Sequence, residues 1–124
     1  FLIETYMENQ HISPFFIIVL LWYPSFETLF SIIRKNIMNR SPMTPDSNHL
    51  HQQVFYHVNK KIKFSKYHSN LLSANLINSY NLLIFIISLN FYSNSQIQVI
   101  LILLNISMYT FIYFKLFILK YKKI

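Results

Sequence analysis

The sequence predicts an all-α, multi-pass transmembrane protein with about three spans and one basic loop. Three observations carry this reading. Of the 124 residues, 53% are hydrophobic and only 12% are charged, about half the ~25% charged residues of an ordinary soluble domain. No Asp, Glu, Lys or Arg occurs between Lys66 and Lys115, an interval long enough for two passes of roughly 20 helical residues each. The basic residues also alternate. None precedes the first apolar run; Arg34, Lys35, Arg40, Lys60, Lys61, Lys63 and Lys66 fall between the first run and the second; and Lys115, Lys120, Lys122 and Lys123 close the chain. A basic nucleic-acid binder spreads its charge over one face, so the net charge of +7 points to the lipid bilayer as partner and not to nucleic acid.

Composition removes several function classes. With no Cys there is no disulfide framework, thiolate metal site or Cys nucleophile. With no Gly, a Walker loop, a Rossmann fingerprint and close GxxxG helix packing are all excluded.

Residues 1–12 read as the end of a preceding span or an external loop, with no signal-peptide pattern. Ser13-Pro14 reads as an N-cap followed by a first-turn proline, which opens a span over 13–33. Pro24 removes one backbone hydrogen bond inside it and is expected to kink it. Residues 34–68 form the polar centre, a loop through Pro42 and Pro45 followed by a basic amphipathic stretch. In that stretch Val54, Phe55, Val58 and Ile62 form an apolar side, with Lys60, Lys61, Lys63 and Lys66 around it, as expected of an interfacial anchoring helix. A second span covers 69–92, a turn 93–96, a third span 97–119 and a tail 120–124. Basic residues near span ends are retained on the cytoplasmic side, so the 34–68 loop and the C-terminus are expected there and the turn outside. Arg34 and Lys35 read as such topogenic charges, attracted to anionic lipid. Asn75, Asn78, Ser79 and Asn81 recur at helical spacing in the second span and read as interhelical hydrogen-bonding groups. The many Tyr and Phe residues read mainly as lipid contacts and an interfacial belt.

One segment concentrates reactive side chains: Arg40, Asp46, His49, His51 and Gln52, stiffened by two prolines. Two imidazoles beside an Arg suit an anion, because each ring donates to phosphate oxygens when oriented or protonated. The same residues also admit a solvated turn, or an Asp-x-x-His-x-His zinc site. Glu27, an acid in an apolar span, costs about 3 kcal/mol unless it faces protein or water. It reads either as a hydrogen-bonded acid sharing a face with Tyr23, Ser31 and Arg34, or as a wall of a cleft below the His loop.

These words carry a resemblance. Trp22-Tyr23-Pro24-x-Phe26-Glu27, then Leu29-Phe30-Ser31-Ile32-Ile33-Arg34, then Arg40-Ser41-Pro42-x-x-Pro45-Asp46-x-x-His49-Leu50-His51, resembles the C-terminal part of polyprenyl-phosphate N-acetylhexosamine-1-phosphate transferases. These are glycosyltransferase family 4 enzymes related to undecaprenyl-phosphate GlcNAc-1-phosphate transferase and phospho-MurNAc-pentapeptide translocase. The resemblance covers residues 22 to 52. It implies transfer of a sugar 1-phosphate from a UDP-sugar to polyprenyl phosphate with Mg²⁺, in a bacterial cytoplasmic membrane, for cell-wall or surface-polysaccharide synthesis. It assigns substrate binding to Arg40, Asp46, His49, His51 and Gln52, and admits a homodimer of the full-length enzyme. The family's third His is here Gln52, which keeps a donor but cannot become cationic. Its Asp-rich motif and the Mg²⁺ ligands have no counterpart in the chain, so the sequence is expected to be a C-terminal piece, inactive alone. The rival reading is a non-catalytic small helical membrane protein whose basic loop binds anionic lipid or a partner.

Overall fold

Ser13 and Pro14 start the helix Pro14–Ile37 as their chemistry dictates. The Ser13 hydroxyl accepts from the Phe15 amide at 3.3 Å, and Pro14 fills the first helical position, where its missing N–H is no loss. The computed structural model describes residues 4, 7, 11–62 and 65–122, and within them the chain is helical with no strand. Helix α1 spans Pro14–Ile37, α2 Leu50–Ile62, α3 Lys66–Asn90 and α4 Ser95–Tyr121. Three of these, α1, α3 and α4, are long and apolar enough to cross a membrane.

Helix α1 continues through Pro24 and runs one turn further than the apolar pattern indicates, so that Arg34 and Lys35 belong to its last turn. Its end is a Schellman motif. Asn39 sits in the left-handed region at φ 53°, Arg40 N donates to Lys35 O at 2.9 Å and Asn39 N donates to Asn36 O at 3.0 Å. In a chain without glycine, Asn is the residue that tolerates this backbone best.

The amphipathic helix also differs from residues 54–67, over which the sequence pattern places it. It begins at Leu50 and ends at Ile62, and Lys66 opens the next helix behind the N-cap Ser65. Lys63 lies outside the described residues, as does Lys123.

At the far end of the bundle Ser13 ties the start of α1 to the α3–α4 turn. Its amide donates to Tyr92 O at 2.9 Å, and its hydroxyl shares a hydrogen bond with that of Ser95 at 2.9 Å. From there α1 lies against both arms of the α3–α4 hairpin, and the two arms touch each other less than they touch α1.

The bundle is polar within and apolar without. Ser31, Ser69, Ser73, Ser88, Gln98 and Asn105 are buried, whereas Leu82, Leu83, Ile100, Leu103 and Phe111 are exposed. Lipid chains are as apolar as Leu, so burying Leu between membrane helices gains little, and small or hydrogen-bonding side chains hold the seams instead. Gln98 does this at the hairpin: it donates to Ser88 O at 2.9 Å and Phe91 O at 2.8 Å, and accepts from the Ser88 hydroxyl at 2.7 Å. Asn105 accepts from the Tyr80 hydroxyl and donates to Leu101 O at 2.8 Å.

The α1–α4 seam is aromatic. Phe30 packs edge-on against Tyr113 at 4.7 Å and Tyr109 at 5.4 Å, and Phe26 meets Tyr109 at 5.0 Å. Reading the aromatic residues mainly as lipid contacts is therefore corrected for this set. Without glycine two backbones cannot approach closely, and rings fill the wider gap.

Candidate functional site

The loop over residues 38–49 is folded by charges that the sequence reading assigned to lipid. Lys35 is 8% exposed and its Nζ donates to Pro42 O at 2.9 Å and Thr44 O at 2.7 Å. Arg34 pairs through Nη2 with Asp46 Oδ2, its guanidinium lying over the Tyr113 ring at 5.9 Å. Both charges are turned into the protein, which corrects their role as lipid-attracted residues. The physical reason is the extra turn of α1, which places them beneath the loop rather than at a free helix end.

Asp46 then performs two tasks. One carboxylate oxygen takes Arg34, and the other accepts from Asn48 N at 3.0 Å, closing an Asx turn. Partial burial raises the Asp46 pKa, but the Arg34 pair, the Asn48 amide and nearby His49 outweigh it and hold the carboxyl below the ordinary carboxylate value.

Glu27 reaches the loop from α1. Its Oε1 accepts from His49 Nδ1 at 3.0 Å and from Leu50 N at 3.1 Å. The second bond satisfies an amide in the first turn of α2, where helices lack internal acceptors and favour negative charge. Gln52 Oε1 accepts from His49 N at 3.1 Å, the reciprocal half of a capping box. Of the two readings of Glu27, the hydrogen-bonded acid is the observed one, and the acid also fixes a loop histidine. The hydroxyls of Tyr23 and Tyr109 approach the same carboxylate without closing a hydrogen bond of standard geometry with its buried Oε2.

With Nδ1–H donating to Glu27, His49 directs Nε2 away from the acid. The His51 ring stacks on it at 5.9 Å with 13° between planes. His51 and Gln52 also line an open cleft of about 410 Å³ together with Phe55, Lys66, Tyr67 and Asn70. The sequence reads Lys66 as part of the basic interfacial stretch and gives Tyr67 no role; only the reversal between α2 and α3 brings both beside the His loop. Arg40 is exposed on the loop and does not line this cleft.

The other end of α2 is tied down by His57, whose Nε2–H donates to Leu116 O at 2.8 Å, and by Asn59, whose Oδ1 accepts from the Ser69 hydroxyl at 3.2 Å. Asn48 accepts from Lys120 Nζ at 3.0 Å and from the Tyr121 hydroxyl at 3.2 Å, linking the loop to the end of α4.

Mg²⁺ takes oxygen ligands, chiefly carboxylates and phosphates. Glu27 and Asp46 are engaged as described, and among the described residues no group of three His, Asp or Glu side chains converges on a point. These residues do not fit the ion. The same finding sets aside the zinc alternative, since Asp46 turns to Arg34 and His49 to Glu27.

No protein-family profile, curated protein or solved structure matches the chain.

Proposed function

We propose that the chain supplies the nucleotide-sugar-binding loop of a membrane transferase that moves a sugar 1-phosphate from a UDP-sugar to polyprenyl phosphate. The observation that carries this reading is the cleft beside the Glu27-held His49, lined by His51 and Gln52 from α2 and by Lys66 and Tyr67 from α3. The residue types match the ligand's parts. A uracil has a flat face for the exposed Tyr67 ring and amide edges for Gln52; a diphosphate has oxygens for Lys66 and the imidazoles, with Arg40 exposed on the same loop outside the cleft. An imidazole whose Nδ1–H is given to a carboxylate offers a second N–H outward only when it is the cation, the form an anion selects. The reading also rests on the resemblance of residues 22–52 to the transferase family, in which this loop has the same task. The catalytic carboxylates of that reaction are not among the residues of this chain, so the proposal is restricted to binding.

The test is titration of a UDP-N-acetylhexosamine into the chain in lipid nanodiscs, comparing wild type with His49→Ala and His51→Ala at equal protein abundance. Losing one charge-assisted hydrogen bond of roughly 1.5–3 kcal/mol is expected to weaken binding about tenfold to a hundredfold. Unchanged uridine-nucleotide binding in both variants sinks the assignment.

The second reading, a lipid-surface anchor, draws on Lys60 and Lys61, both exposed on α2. It expects binding to anionic vesicles that survives both His substitutions and disappears at high salt.

A further inference from the structure

The polar side chains of the spans divide into two sets. Gln98, Asn105, Ser73, Ser88, Ser107 and Thr110 all have hydrogen-bond partners within the bundle or in their own helix. Asn75, Asn78, Ser79 and Asn81, expected to bond across helices, do not. Among the described residues none of these four side chains makes a hydrogen bond, and the Asn81 Oδ1 atom is buried with no partner.

Asn78 is the midpoint of α3 and is exposed on its surface, as is Asn75. A primary amide carries two donor hydrogens and an acceptor oxygen. Hydrocarbon chains offer neither, so an amide facing lipid at mid-span loses the hydrogen bonds that water would supply. The Asn78 and Asn81 amides open onto a groove of about 500 Å³ between α1 and α3, walled also by Trp22, Tyr23, Pro24 and Phe85. Pro24 has no N–H, so the Leu20 carbonyl in the same wall lacks its helical donor. Acceptors and donors thus collect on one intramembrane face that no element of the described chain covers.

We propose that this groove seats one further membrane-spanning helix, contributed by a partner other than a second copy of this chain, that presents amide or hydroxyl side chains at its own midpoint. A lipid does not meet the requirement, because its polar groups lie at the interface, far from Asn78. A helix does: it fits between two neighbouring spans, and an Asn, Gln, Ser or Thr side chain on it pairs with Asn78 and Asn81.

The experiment uses the chain in phosphatidylcholine vesicles and two synthetic Leu/Ala transmembrane peptides, one with a central Asn and one with Leu in its place. Association is read by energy transfer. Wild type is expected to bind the Asn peptide about threefold to tenfold more strongly than the Leu peptide, and N78L/N81L is expected to lose that preference. S107L, which removes an internally satisfied hydroxyl on α4, retains it. N78L alone, at an exposed position, reduces the preference without disturbing packed side chains. No preference in wild type, or a preference untouched by N78L/N81L, overturns the proposal. Self-association of wild type that is abolished in N78L/N81L overturns it as well, in favour of a second copy as occupant.

Discussion

Glu27 and His49 are 22 positions apart, yet one carboxylate oxygen of Glu27 holds both the His49 ring at 3.0 Å and the next residue's amide at 3.1 Å. An acid on a membrane helix thereby starts a surface helix and sets the orientation of its first imidazole. The acid is stabilised in a setting that otherwise penalises it, and the imidazole gains a fixed direction.

Glu27→Ala is expected to destabilise the fold by about 1–3 kcal/mol, since it leaves a buried amide and an imidazole N–H without their acceptor. Glu27→Gln keeps an acceptor oxygen for Leu50 N and is expected to cost less. Thermal unfolding in detergent measures both. In a double-mutant cycle Glu27→Ala and His49→Ala are expected to be non-additive by 0.5 kcal/mol or more, roughly the lower bound for contacting residues; additivity removes the link.

Asp46 gives a pH prediction whose sign follows from its lowered value. Its folded pKa lies below the ordinary 3.8, so the stability it contributes is fully present above the ordinary value. That contribution is lost as pH falls through the folded value, when the Arg34 pair and the Asn48 contact lose their carboxylate. Unfolding midpoints recorded from pH 6 down to about 2 are expected to fall less steeply for Asp46→Asn than for wild type over this acid range. Parallel curves exclude Asp46 as the source.

Lys35→Met keeps the buried stem and removes two hydrogen bonds to the loop carbonyls of Pro42 and Thr44. The expected cost is about 1–3 kcal/mol, with faster amide exchange concentrated between residues 41 and 49. Uniform exchange across the chain instead assigns Lys35 a general role in stability and none in the loop.

Asn39 occupies a left-handed position. Asn39→Gly is expected to leave the midpoint of unfolding unchanged or higher, whereas Asn39→Val is expected to cost roughly 1–2 kcal/mol through clash of its β-carbon. The pair is diagnostic because a merely polar role loses stability in both.

Lys66 and Tyr67 entered the site through the fold. Lys66→Ala and Tyr67→Ala are each expected to weaken binding of a UDP-sugar about fivefold to tenfold, in line with roughly 1 kcal/mol for an exposed ion pair or a ring contact. Equal affinity in both variants removes the cleft wall from the proposed site.

Particular residues show how far the chain could be read in advance. Ser13-Pro14 marked a helix start because capping is local chemistry, and the charge-free interval after Lys66 marked two spans because length and hydropathy alone decide whether a helix crosses a bilayer. The His loop stood out by composition. Its partners did so only in part: Glu27 showed as an acid sharing a face with Tyr23, Ser31 and Arg34 or walling a cleft below the loop, and Arg34 and Lys35 showed only as basic residues at a span end. The amides of α3 were visible as a periodic set, but whether they found partners inside the bundle was not.

What the sequence by itself determined is the number of segments long and apolar enough to cross a membrane, their order along the chain and the position of the polar segment, since each depends on summed transfer free energies of neighbouring residues. Only the tertiary structure decided which polar groups pair. Arg34 with Asp46, Lys35 with the loop carbonyls, Glu27 with His49, and Asn75, Asn78 and Asn81 with nothing in the described chain are outcomes of angle and distance between helices. Hydrogen bonds are short-ranged and directional, and no periodicity along one helix specifies what the next helix brings within 3 Å.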